Sequence, residues 1–155
     1  NQGAHWQQVN HGLVPEGLVK TSRALSVTSV QVDPFTTETV YAATLAGLYK
    51  TTDGAASWVR SGESLQDQMI VSMVLDRARL GVMYVAARDG IHRSEDGGKS
   101  WVALNEGLAT TNIRSLAQSA LDPQLFYAGT NGSGLYRSTD GGAHWEALPS
   151  VFPKE

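Results

Sequence analysis

The residues able to do chemistry in this chain fall into three sets. Asp53, Asp96 and Asp140 recur at intervals of 43 and 44 residues. Lys50, Arg93 and Arg137 each precede one of these aspartates at the same offset, and His5, His11, His92 and His144 are the four histidines. Two carboxyl groups facing one another at about 5–9.5 Å could hydrolyse a glycosidic bond. A cluster of cations could hold a carboxylate, and paired histidines could hold a metal. The regular period argues against all three. Residues that recur once per structural unit land in different units and do not converge. His5 and His144 are themselves repeat-equivalent, no H-x-x-x-H spacing occurs, and no metal or cofactor is expected. There is no cysteine, which excludes disulfides and thiolate chemistry.

What positions the aspartates is an octapeptide. It reads Thr51-Thr52-Asp53-Gly54-Ala55-Ala56-Ser57-Trp58, then Ser94-Glu95-Asp96-Gly97-Gly98-Lys99-Ser100-Trp101, then Ser138-Thr139-Asp140-Gly141-Gly142-Ala143-His144-Trp145. A degenerate fourth copy, Asn1-Gln2-Gly3-Ala4-His5-Trp6, opens the sequence. Asp followed by glycine between apolar runs is turn chemistry: the carboxylate accepts backbone N–H groups and glycine takes positive φ. The tryptophan then brings a large apolar surface to the next strand. Asp53, Asp96 and Asp140 are therefore read as turn residues, and Trp6, Trp58, Trp101 and Trp145 as core.

Tyr41, Tyr84 and Tyr127 repeat at the same interval, as do Gly47, Gly90 and Gly134. A period in the low forties with four strands per unit predicts an all-β fold, a β-propeller of four-stranded blades. The runs around Tyr41 and Tyr84 are apolar on both faces, as strands sandwiched between neighbouring sheets must be. The propeller is expected to span 1–148, with an orphan outer strand at 5–10 and blades at about 24–60, 69–104 and 112–148. Residues 149–155, with two prolines in 149–153, are expected to form a tail. That makes about three and a half blades, fewer than the ~4–8 of closed propellers. The orphan strand has no vacancy to fill, because the third blade already has its own fourth strand. The chain is expected to need either the rest of a longer propeller, the favoured alternative, or further copies of itself.

The octapeptide resembles the Asp-box, or BNR repeat, of sialidases, sortilins, xyloglucanase-type glycoside hydrolases and photosystem II assembly-factor propellers. The resemblance runs along nearly the whole chain. It implies a turn between the third and fourth strands of each blade, at the periphery and away from the ligand site. It also implies that Lys50, Arg93 and Arg137, on third strands, are not the axial arginine triad of sialidases; a solvated or blade-bridging role is expected for them. The strings nearest to the Thr-Asp-Val-Gly-Gly context of the xyloglucanase acid/base, Thr52-Asp53-Gly54 and Thr139-Asp140-Gly141, are the octapeptides themselves, which argues against that activity in this segment. Asp33, Asp76 and Asp122 are each expected to end an inner strand as turn residues.

A net charge of −3 gives no electrostatic case for nucleic acid. No apolar run approaches the ~18 residues of a membrane span. No secretory leader opens the sequence, and the Asp-box resemblance implies an exported location, periplasmic, lumenal or extracellular. Function is expected where the repeat breaks, on loops carried by a rigid scaffold. The binding candidates are Arg88, Asp89, Asn112, Asn131 and Ser133, and no catalytic residue is assigned. These residues imply a non-catalytic binding or scaffold module for a protein or glycan. The alternative is a fragment of an Asp-box glycoside hydrolase with its catalytic residues elsewhere.

Overall fold

A computed structural model describes residues 5–13 and 26–149. Twelve strands make three four-stranded antiparallel sheets, each in simple sequential order. The first contains β1 (Val27–Val32), β2 (Val40–Thr44), β3 (Gly47–Thr51) and β4 (Val59–Ser61). The second contains β5 (Ser72–Leu75), β6 (Met83–Ala87), β7 (Gly90–Ser94) and β8 (Val102–Ala103). The third contains β9 (Ile113–Gln118), β10 (Phe126–Thr130), β11 (Leu135–Ser138) and β12 (Glu146–Ala147). The first strands of successive sheets, β1, β5 and β9, lie beside one another. The chain is a partial β-propeller of about three blades.

Blade packing follows from side-chain alternation. Tyr41, Ala43 and Leu48 on one face of blade one bury against Met73, Leu75, Met83 and Val85 of blade two. The opposite face of blade two, with Tyr84, Ala86 and Ile91, buries against Leu116, Phe126, Ala128 and Tyr136 of blade three. There the Tyr84 and Phe126 rings meet at 4.4 Å between centroids. β6 is buried at all five positions, as the doubly apolar sequence requires. The outward face of blade three has no described cover. Its Tyr127 and Leu135, repeat-equivalents of Tyr84 and Ile91, are 36% and 44% exposed. Arg137, on the same face, has a buried Nε with no hydrogen-bond partner. On the far side of blade one, Val30 and Val32 are exposed in the same way.

The structure departs from the sequence expectations at several points. Residues 5–10 belong to no strand, and Trp6 is 91% exposed and not core. Trp101 is only half-buried, against 7% and 3% exposure for Trp58 and Trp145. The fourth strands are only two or three residues long and begin after each tryptophan. Asp33 and Asp76 do cap their turns, accepting the backbone N–H groups of Phe35 and Thr36, and of Ala78 and Arg79. In the third blade the equivalent place is taken by Ser119, whose hydroxyl accepts the N–H groups of Leu121 and Asp122, and Asp122 is a turn residue beside it, accepting Gln124 N–H at 2.9 Å. The expected start of blade one at 24, the head of the degenerate octapeptide and residues 150–155 lie outside the described residues.

Trp58 and Trp145 are covered in the same way. Trp145 donates its backbone N–H to Glu106 O at 2.9 Å and its indole N–H to Leu104 O at 3.0 Å. Trp58 does the same with His11 O at 2.8 Å and Val9 O at 2.8 Å. Each tryptophan is thus received by the segment that follows the preceding octapeptide.

Candidate functional site

The three octapeptides form nearly identical turns. One oxygen of Asp53 accepts the backbone N–H of Ser57 and the other its hydroxyl. Asp96 does the same with Ser100 and also accepts Lys99 N–H. Asp140 accepts the backbone N–H and Nδ1 of His144. The hydroxyls of Thr51, Ser94 and Ser138 add one more bond each. These donors favour the ionised form. The Ser57 hydroxyl, with Thr51 and the backbone, brings Asp53 down to about 2. The Ser100 hydroxyl and backbone hold Asp96 lower still. The His144 backbone N–H, with further side-chain bonds, lowers Asp140 to about 2. A carboxylate so held is a poor general acid at neutral pH.

The cations that precede the aspartates face the neighbouring blade or their own. Lys50 lies over the Tyr41 ring at 5.2 Å, and both side chains flank Gly97 of the next octapeptide. Arg93 pairs with Glu95 at 2.9 Å, and Arg137 with Glu146 at 3.5 Å. They do not converge on one point.

The two ends of the propeller segment differ. At the end carrying the octapeptides, a cavity of about 400 Å³ lies between inner strands, bordered by Gln31, Asp76 and Gln118. Its carboxylate is already occupied. Asp76 Oδ2 accepts Arg79 at 2.6 Å and Gln118 Nε2 at 2.9 Å, and Arg79 also reaches the Tyr84 hydroxyl. Burial alone would raise the Asp76 pKa, but the bonds from Arg79, Gln118 and Ala78 N–H outweigh it and leave the group below its ordinary value. This network clamps blade two to blade three.

At the opposite end, where the β2–β3, β6–β7 and β10–β11 hairpins meet the connections between blades, a groove of about 360 Å³ opens between blades two and three. Arg88, Asn112 and Arg114 line it, with Val71, Ala87 and Ile113 as apolar floor. Of the five binding residues expected from sequence, Arg88 and Asn112 come together here. Asn131 adjoins them, its N–H donating to Asn112 O at 2.9 Å. Asp89 turns away and accepts His92 Nε2 at 2.8 Å. Ser133 is not in the groove; its N–H closes the β10–β11 loop on Thr130 Oγ1. Arg114 was missed from sequence, although the period contained the signal. The β-sheet registers place Thr28 and Val71 at its repeat-equivalent positions, so the arginine is a break in the pattern.

No family model matches the chain, and no curated protein matches it. Solved structures do. An ancestral GH74 enzyme aligns with a TM-score of 0.69 and 24% identity over 81% of this chain and 19% of its own. YCF48 bound to D1 peptide aligns at 0.54 and 21%, over 70% of this chain and 36% of that one. The extracellular domain of BT3049 from B. thetaiotaomicron aligns at 0.66 and 17%, over 79% and 18%. This chain therefore spans a fifth to about a third of the length of these structures. The likeness establishes the propeller fold, which catalytic and peptide-bound proteins share.

Proposed function

We propose that this chain is part of an exported Asp-box propeller that acts as a non-catalytic binding or scaffold module. It recognises a protein or glycan partner through the end carrying the inter-blade loops. The observation that carries this reading is the groove with Arg88 and Asn112 at its edge, set on loops that break the repeat while the scaffold beneath keeps it. The commitment of Asp53, Asp96 and Asp140 to their turns, and of Asp89 to His92, supports binding over hydrolysis. The bare faces of blades one and three are to be covered by further blades of a longer propeller, or by further copies. Exposed Tyr127 and Leu135, equivalents of residues buried at the joint of blades two and three, support that need.

A displayed random-peptide library and a xyloglucan oligosaccharide panel, applied to the purified chain, test the reading. Expected are bound peptides or glycans that are lost on the Arg88→Ala/Asp89→Ala double variant, with an almost unchanged unfolding midpoint. Cleavage of xyloglucan, abolished by Asp89→Asn, would overturn the reading in favour of the glycoside hydrolase.

A further inference from the structure

The groove exists because two equivalent joints close differently at the loop end. Between blades one and two, Ile70 N–H reaches across to Thr44 O at 3.0 Å, and Thr28 Oγ1 donates to Ile70 O at 2.6 Å. The sheets are stitched together there by backbone. Between blades two and three the equivalent residue, Ile113, turns its N–H back to Thr111 O at 2.8 Å within its own connection. Val71 stands in blade two where Thr28 makes the stitch in blade one, and it has no hydroxyl to donate; Arg114, the same position in blade three, borders the gap. The described residues contain no bridge equivalent to Ile70–Thr44 at this joint, and the gap is the groove.

Its walls are chemically one-sided. Arg88 and Arg114 are both exposed, and among the described residues neither has a hydrogen bond or an ion pair. The carboxylate next in sequence to Arg88 is already engaged by His92. Two guanidinium groups thus flank an apolar floor, beside Asn112 and the hydroxyl-bearing Thr110 and Thr111. Guanidinium groups favour carboxylates through paired, charge-assisted hydrogen bonds. An apolar floor with polar edges suits an extended segment whose side chains alternate.

We propose that the groove between blades two and three binds an extended acidic peptide segment, its carboxylates on Arg88 and Arg114 and its apolar side chains on Val71 and Ile113. The proposal rests on the loop-end binding reading and narrows its partner to an anionic polypeptide. The charge pattern selects this partner over a neutral glycan, which would leave both arginines unpaired.

The test uses the whole chain and two fluorescent hexapeptides, one of alternating Glu and Leu, the other with Gln in place of Glu. Fluorescence anisotropy is expected to show binding of the acidic peptide and at least about tenfold weaker binding of the Gln peptide, the loss expected for charge-assisted contacts. Arg114→Gln and Arg88→Gln should each weaken the acidic peptide several-fold. Arg77→Gln, at the opposite end, should leave it unchanged. Thermal unfolding of each variant confirms that the fold persists; Arg114→Gln keeps the length of an exposed side chain. No binding of the acidic peptide, equal binding of both peptides, or indifference to Arg114→Gln would overturn the proposal. The broader reading fails separately, when no library peptide or oligosaccharide depends on Arg88 and Asp89.

Discussion

The joint between blades one and two and the joint between blades two and three are built from equivalent residues and behave differently at both ends. At the octapeptide end, Trp145 sinks into the segment Leu104–Leu108, while Trp101 stays half-buried and donates its indole N–H to Gly98 O of its own turn. The cause is one position in the receiving segment. Gly107 takes φ +85°, and a Cβ there would lie 2.0 Å from Trp145 O. Gly12, which receives Trp58, takes φ +86° and leaves the same space. The equivalent before Trp101 is Ser64, inside a short 3₁₀ helix, Glu63–Leu65. A residue with a Cβ cannot follow the glycine path so close to an indole-bearing backbone, so the chain turns elsewhere. The first joint instead donates Tyr41 and Ser61 hydroxyls to the Gly97 and Gly98 carbonyls. A repeat can therefore keep its turn and change its seat.

The comparison can be broken most directly at the tryptophans. Trp145→Ala is expected to destabilise by about 3–5 kcal/mol, the range for truncating a fully buried large side chain. Trp101→Ala should cost only about 1–2 kcal/mol, since much of its surface is already in water. Urea unfolding measures both, and equal losses would mean that the two seats are energetically the same. Next in size is Gly107→Ala, expected to cost about 2–3 kcal/mol from positive φ and the clash with Trp145 O. Ser64→Ala, in the segment that takes the other path, should stay within about 0.5 kcal/mol. The smallest effect belongs to His144, which stands where the other blades have Ser57 and Ser100. Its ring bonds Asp140 Oδ2 at 2.8 Å and lies 3.3 Å from Glu106 Oε1 on the preceding blade. The bond to Asp140 and the charge of Glu106 raise its pKa above the ordinary 6.5. A raised folded-state pKa means that this contribution is fully present below about pH 6.5 and is lost as pH rises through the higher folded value. His144→Ser should remove that slope from the melting temperature measured between pH 6 and 8.5, and a slope that survives the substitution would exclude the bridge.

The propeller was legible because its signals are local and periodic. Turn glycines, the tyrosine of each second strand and the doubly apolar run in β6 depend only on nearest neighbours in the sheet, so the period carried them. The tryptophans were legible as a set but not one by one. Their burial depends on a segment from the preceding repeat, and Ser64 in place of glycine spoils it for Trp101 alone. At the candidate site, Arg88 and Asn112 stood out because they lie in loops that vary between repeats. Arg114 hid inside a strand, where a charged residue at an exposed edge reads as ordinary solvation. Its place beside the groove appears only once Ile113 is seen to turn back on Thr111.

The seating of Trp58 on Val9–Leu13, and of Trp145 on Leu104–Leu108, means that the cohesive module of this molecule is out of phase with its sheet. A blade counted from first strand to fourth is a topological unit, but each seam belongs half to one blade's trailing segment and half to the next blade's octapeptide. Cutting or duplicating the gene at sheet boundaries would separate Trp58 and Trp145 from their seats. Cutting just ahead of the octapeptide at 94–101, and carrying its trailing segment along, would transplant the Trp-receiving Gly107 with each added copy. Recombination and engineered repeat arrays built on this chain should tolerate the second phase far better than the first.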